Sequence, residues 1–135
     1  MNRKGFTIVE LLTVIVIIAL IGGIAAIAYS SFQNQTAKRV FETYMDNMHE
    51  SAVMYFLDNP IKRPTSTEEE VKVLLKDLNI DKFNNPFEMG DYCVNDGSYV
   101  SAKKLESGTS KGITGIKYNV CLNCNKYKEC KEYTN

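Results

Sequence analysis

The sequence predicts an α+β chain, with one long amino-terminal helix, half transmembrane and half amphipathic, packed against a small antiparallel sheet head. Three observations carry this expectation. An almost unbroken apolar run covers Phe6 to Tyr29. An apolar stripe at helical spacing continues behind it as far as Asn59. The remainder breaks into short segments between turn signals and holds four cysteines. At 135 residues there is room for one small domain beside such a helix, but not for two packed domains. The chain divides into a short segment at 1–5, a membrane-type helix at 6–29, its amphipathic continuation at 30–59, and a head at 60–135.

Overall charge gives no pointer to a nucleic-acid partner, and DNA stays open only through the tail. With 16 basic and 16 acidic side chains the chain has no net field to draw it onto nucleic acid. The distribution is uneven, however. From Glu42 to Asp91 there are eleven acids against five bases, whereas from Lys103 onward seven lysines face three glutamates. A mixed solvated surface explains this, and head-to-tail complementarity between copies is the sharper reading.

The amino terminus is the most informative segment. Asn2-Arg3-Lys4 is cationic, and the 24-residue run from Phe6 to Tyr29 makes a helix of about 36 Å, enough to cross a bilayer. Cations before the span keep that end in the cytoplasm and export the rest. A cleaved secretory signal has a shorter apolar region, although Ala26-Ile27-Ala28 imitates its cleavage site. A plain anchor explains the length but not Glu10. An ionisable group inside a membrane helix costs about 2.5 to 3.5 kcal/mol near its centre and persists where it has a partner. Nothing cationic lies elsewhere in the span. Cleavage after Gly5 creates a cation at the right depth, the α-amino group of Phe6. Four residues of helix separate that amine from its own Glu10 by about 6 Å along the axis. It can reach Glu10 of a displaced neighbour instead, and a pairing that never returns to the first copy builds an open helical assembly.

Gly5-Phe6-Thr7-Ile8-Val9-Glu10-Leu11-Leu12, behind a short basic leader, resembles the prepilin signature of type IV pilins and type II secretion pseudopilins. The resemblance is strong over about the first quarter of the chain and beyond that concerns architecture only. It implies a pilin-like fold and a Gram-positive-type or minor subunit, with Gly5 as the cleavage-site residue, Phe6 as the N-methylated mature terminus and Glu10 as the assembly glutamate. It also implies the partners of such proteins: a membrane-embedded prepilin peptidase, a polytopic platform protein, a cytoplasmic assembly ATPase and other pilins in a homo- or hetero-oligomeric filament. The precursor is expected as a single-pass protein of the cytoplasmic membrane, and the product at the cell surface.

Beyond the span Ala37, Phe41, Tyr44, Met48, Ala52 and Tyr55 recur at steps of three or four, widened by Met45 and Phe56, so this half of the helix covers a core. Asn59-Pro60 ends it, because proline disfavours helix in the residue before it. A helix from Phe6 to Asn59 measures roughly 80 Å. Gly22-Gly23 lies near the membrane exit, and two readings stay open: close helix packing, and a place where the helix bends or unwinds. Many pilins carry a proline in that neighbourhood, where Ile27 and Ala28 stand here.

In the head, Pro64 to Glu70 opens a predicted short helix, with Ser66 and Glu69 or Thr67 and Glu70 as a capping box and Val71, Leu74, Leu75 and Leu78 as its apolar side. Asn84-Asn85-Pro86-Phe87 reads as a turn. Strands are expected around Tyr92–Val94, Ser98–Lys103 and Ile116–Cys121, with Asp96-Gly97 as a hairpin signal and Ser107–Gly115 as a loop.

Cys93, Cys121, Cys124 and Cys130 are even in number and expected outside the cytoplasm, so disulfides are the default. Three connectivities are open. Because many pilins staple the carboxy-terminal segment to the sheet, the resemblance favours Cys93 with Cys121 and Cys124 with Cys130. A zinc site of four thiolates is the main rival, supported by Cys121-x-x-Cys124 and weakened by the spacing to Cys130 and the distant Cys93. A redox-active C-x-x-C lacks its usual βαβ context. His49 has no nucleophile or second histidine near it and reads as a surface or interface side chain.

Two functions follow. The first is a structural, non-enzymatic filament subunit without a cofactor. The alternative is a membrane-anchored monomeric zinc- or thiol-binding protein. The lysines and tyrosines of the tail, Lys126, Tyr127, Lys128, Lys131 and Tyr133, are the only feature leaning toward DNA.

Overall fold

A computed structural model describes residues 5–106 and 115–134. One helix, α1 (Ile8–Asp58), is followed by four strands: β1 (Glu70–Leu74), β2 (Tyr99–Lys104), β3 (Ile116–Cys124) and β4 (Tyr127–Thr134). They form one antiparallel sheet in the order β1-β2-β3-β4. The fold is thus α+β, a long apolar helix with a four-stranded sheet. By internal contacts the chain separates into two compact units, dividing after Ala37, and α1 supplies residues to both.

In the first unit the side chains from Phe6 to Thr36 are all exposed, among them Phe6, Ile8, Leu11, Ile17, Leu20 and Ile24. The most apolar window of α1 buries nothing within the chain. A surface of this kind is unstable in water and at home among lipid tails or other apolar helices.

In the second unit the stripe read from the sequence is the core face of α1. Phe41, Met45, Met48, Ala52 and Phe56 are buried, while Tyr44 and Tyr55 flank them. Burying one such side chain contributes about 1.5 to 3 kcal/mol. The sheet answers with alternate residues of β1 to β3, namely Val73, Val100, Ala102, Ile116, Tyr118, Val120 and Leu122. Aromatic contacts close one end: Phe41 meets Tyr127 edge-on at 4.9 Å and Tyr44 stacks on Phe83 at 4.3 Å. α1 ends where Asn59-Pro60 predicts, and its last carbonyls are taken by side chains. Arg63 Nε donates to Phe56 O at 2.6 Å, and Asn59 Nδ2 donates to Tyr55 O at 2.9 Å.

The head departs from expectation in three places. No α-helix follows Pro64; Glu70–Leu74 is strand β1, with only a 3-10 turn at Leu75–Asp77. The reason is the period of two in Glu70-Val71-Lys72-Val73, whose valines suit a pleated surface, and it outweighs the capping signals. Glu69 still accepts bonds, but from Thr65 N–H at 2.7 Å and Thr65 O–H at 2.8 Å within the turn before the strand. Secondly, Tyr92 makes only an isolated bridge to Asn84, and Asp96-Gly97 lies in the turn leading into β2 rather than in a hairpin. The true two-residue hairpin is Asn125-Lys126, where Asn125 adopts φ 58°, a conformation asparagine tolerates. Thirdly, β4 is an additional edge strand, and β3 runs on to Cys124. Of the predicted Ser107–Gly115 loop, residues 107–114 lie outside the described residues.

Candidate functional site

The amino-terminal site is built by the start of α1. Thr7 precedes the first helical residue, Ile8, and Glu10 stands three positions after it. Their side chains exchange bonds: Glu10 N–H donates to Thr7 Oγ1 at 3.3 Å, and Thr7 N–H donates to Glu10 Oε2 at 2.9 Å. The Thr7 hydroxyl also donates to Oε2, at 3.0 Å. This is a capping box, satisfying two backbone donors that a helix start leaves open, and a carboxylate there also suits the helix dipole. Thr7-x-x-Glu10 carries the spacing of such a box in the sequence, a signal apart from the charge of Glu10. Within one chain, then, Glu10 is oriented and hydrogen-bonded. All three contacts to its carboxylate and amide lie on Thr7, and Oε1 has no partner among the described residues. Nor does any ion pair among the described residues involve Glu10.

Gly5 and Phe6 lie outside α1 and are exposed. A Cβ at Gly5 meets nothing within 4 Å, so the described chain gives no steric reason for glycine there. The same holds at Gly22 and Gly23, through which α1 continues as helix. Their small size serves no contact among the described residues.

The cysteines form two disulfides, Cys93–Cys124 and Cys121–Cys130. This corrects the pairing of Cys93 with Cys121 and of Cys124 with Cys130. The physical reason is parity. Cys121 and Cys124 are three residues apart on β3 and so face opposite sides of the sheet. Cys121 lies directly across from Cys130 in the β3–β4 register. Cys124 joins the inner face and meets Cys93, whose segment is fixed by Cys93 N–H donating to Phe83 O at 2.9 Å. The sheet therefore separates the four sulfurs into two pairs, and no group of three or more potential metal ligands exists among the described residues.

The charge asymmetry is partly neutralised inside the chain. Lys131 pairs with Asp46 at 3.4 Å and Lys126 with Glu88 at 3.3 Å, and Lys117 pairs with Glu132 at 2.8 Å. Two tail lysines offered to DNA by sequence thus already have acidic partners. Asp46 also accepts the Tyr133 hydroxyl at 2.5 Å, and this bond holds its carboxyl below the usual aspartate range. Tyr133 stacks on His49 at 4.4 Å and 8°. His49 is half-buried under the last strand, its basicity lowered by that burial against the opposing pull of Glu50 and Asp46. It is a packing residue of the tail latch.

A membrane-type helix at the amino terminus, with an acid in its first turn, and a small disulfide-bonded α+β head make up a pilin-like fold. The chain carries the prokaryotic N-terminal methylation motif, whose family model matches residues 1–26, and this match supports the type IV pilin and pseudopilin family. No curated protein and no solved structure matches the chain. Motif and helix together are consistent with a membrane-anchored precursor.

Proposed function

We propose that this chain is a structural subunit of an extracytoplasmic helical filament. A prepilin peptidase cuts the precursor after Gly5, the new terminus at Phe6 is methylated, and a platform protein with its ATPase draws the subunit from the membrane into the polymer with copies of itself or other pilins. The observation that carries this reading is Glu10, which lies in the exposed, largely apolar first part of α1 with its Oε2 held by Thr7 and no counter-charge among the described residues. The incoming α-amine of a neighbour supplies that charge at Oε1, and the capping box keeps the carboxylate aimed because Thr7 stays in the mature chain. A glycine at position 5 that no intrachain contact requires fits a residue read by a peptidase. Gly22 and Gly23 serve either close approach of neighbouring helices or local bending as the subunit leaves the bilayer. The cysteines act as two structural crosslinks, and no cofactor enters this role.

Glu10→Gln separates the steps. The neutral amide preserves size and hydrogen bonding to Thr7 but removes the charge. The expected result is a precursor that inserts and is cut normally yet yields no filaments in a sheared surface fraction. Normal filament yield from Glu10→Gln would refute the pairing.

A further inference from the structure

Filament assembly gives the Cys121-Leu122-Asn123-Cys124 motif no task of its own, yet the observed pairing poses a problem that this motif is placed to solve. The two disulfides interleave, since Cys121 lies between Cys93 and Cys124, and Cys124 lies between Cys121 and Cys130. In an unfolded chain the chance of closing a loop falls roughly as the three-halves power of its length. The native Cys93–Cys124 bond spans 31 residues. The competing Cys124–Cys130 bond spans six positions and so closes about tenfold more readily. Forming it occupies the sulfur that Cys93 needs. Once β3 and β4 pair, however, that bond cannot stand. Cys124 is opposite Tyr127, on the inner face, while Cys130 is opposite Cys121.

We propose that the native pairing is reached through thiol–disulfide exchange within Cys121, Cys124 and Cys130, with Cys121 as the internal attacking thiol. The Cys121 thiolate attacks the Cys130 sulfur of a Cys124–Cys130 bond. The new Cys121–Cys130 bond forms as the old one breaks, and Cys124 leaves as a thiolate that takes a proton from water. The Cys121 sulfur is oxidised from the thiolate to the disulfide level as the Cys124 sulfur is reduced by the same amount, so the number of disulfides is unchanged and no external oxidant is consumed. Formation of the β3–β4 register drives the exchange in this direction. Cys93 and the freed Cys124 then give two electrons and two protons to a disulfide-bearing oxidant, which leaves as two thiols. In the finished head Cys121 and Cys124 are fully buried, so the exchange belongs to maturation and stops when the core closes. This goes beyond the filament reading and does not depend on it.

The test uses the full chain, reduced and unfolded in denaturant with detergent, then diluted into detergent buffer with oxidised glutathione as the sole redox reagent. Samples are quenched by alkylation and mapped by non-reducing peptide mass spectrometry. Cys124–Cys130 should appear well before Cys93–Cys124 and decay as Cys121–Cys130 rises, with Cys93–Cys124 last. Cys121→Ser should slow Cys93–Cys124 formation about tenfold while Cys124–Cys130 persists. The double variant Cys121→Ser with Cys130→Ser removes the competing bond and should restore the fast rate. Early Cys93–Cys124 in the wild type, an undiminished rate in Cys121→Ser, or a double variant as slow as the single one would each overturn the proposal.

Discussion

The edge strand β4 has no fully buried residue, so its attachment to α1 should rest on a few identifiable contacts, and Tyr133 makes two of them. Its hydroxyl donates to Asp46 at 2.5 Å and its ring stacks on His49 at 4.4 Å. Tyr133→Phe removes the first and keeps the second. A bond to an ionised acceptor contributes about 1.5 to 3 kcal/mol when desolvated, but the Asp46 side chain is 55% exposed, which brings the expected loss to about 1 kcal/mol. Tyr133→Ala also loses the stack, another 0.5 to 1.5 kcal/mol or so, and some apolar burial, for a total of about 2 to 3 kcal/mol. In a head of this size 1 kcal/mol lowers the unfolding midpoint by roughly 4 to 8 °C. Thermal unfolding of the full chain in detergent, followed by near-ultraviolet circular dichroism, should resolve the two variants. There is a pH signature as well. The folded-state pKa of Asp46 is depressed, chiefly by this bond, so its contribution is present above the ordinary aspartate value and is lost as pH falls through the folded value. The Tyr133→Phe deficit should therefore fade in strong acid. Equal midpoints for wild type and Tyr133→Phe at neutral pH, or a deficit unchanged in acid, would refute the reasoning.

Three further outcomes follow from the head. Burial depresses the His49 pKa in the folded state, so stability should decline as pH falls below about 6.5, where the unfolded chain takes up a proton that the native one resists; equilibrium denaturation should show that loss abolished by His49→Gln. At the alkaline end burial pushes the Tyr118 hydroxyl up to about 12, and burial with the bond to Asp46 raises Tyr133 as well, so stability should be lost as pH rises above about 10, and ultraviolet titration should find these two phenols ionising only with unfolding. Replacing each cysteine pair by serine should cost more for Cys93 and Cys124 than for Cys121 and Cys130. Loops of 31 and 9 residues correspond to about 3.7 and about 2.6 kcal/mol, and the ranking can be read from urea midpoints.

Much of this molecule was legible in its residues, because the strongest signals were long ones. The run from Phe6 to Tyr29 and the stripe through Phe41, Met48 and Ala52 mark one helix, and Asn59-Pro60 marks its end within a residue. Shorter signals competed with one another. The acids at Glu68 to Glu70 imitate a helix start, whereas Val71 and Val73 specify a strand, and pairing with β2 decides between them. β4 carries no apolar alternation to read, because Tyr127, Lys131 and Tyr133 on its inner face meet α1 through rings, an ion pair and a hydroxyl bond, and Glu129 between them accepts from Tyr127. Connectivity of the cysteines depends on which face of β3 each one takes. That parity is fixed only once the strand is known to continue through Cys124. At the amino terminus the glutamate was conspicuous as a charge, and its threonine partner three residues earlier was overlooked because a bond to a hydroxyl leaves the charge itself unanswered.

The central claim, that Gly5 and Phe6 flank a processing site and Glu10 awaits the amine it releases, is tested most directly by intact-mass and amino-terminal fragment mass spectrometry of the chain purified from its native membrane and surface fractions. The surface form should begin at Phe6 and carry one added methyl group on its α-nitrogen. A surface form that still begins at Met1 would contradict it.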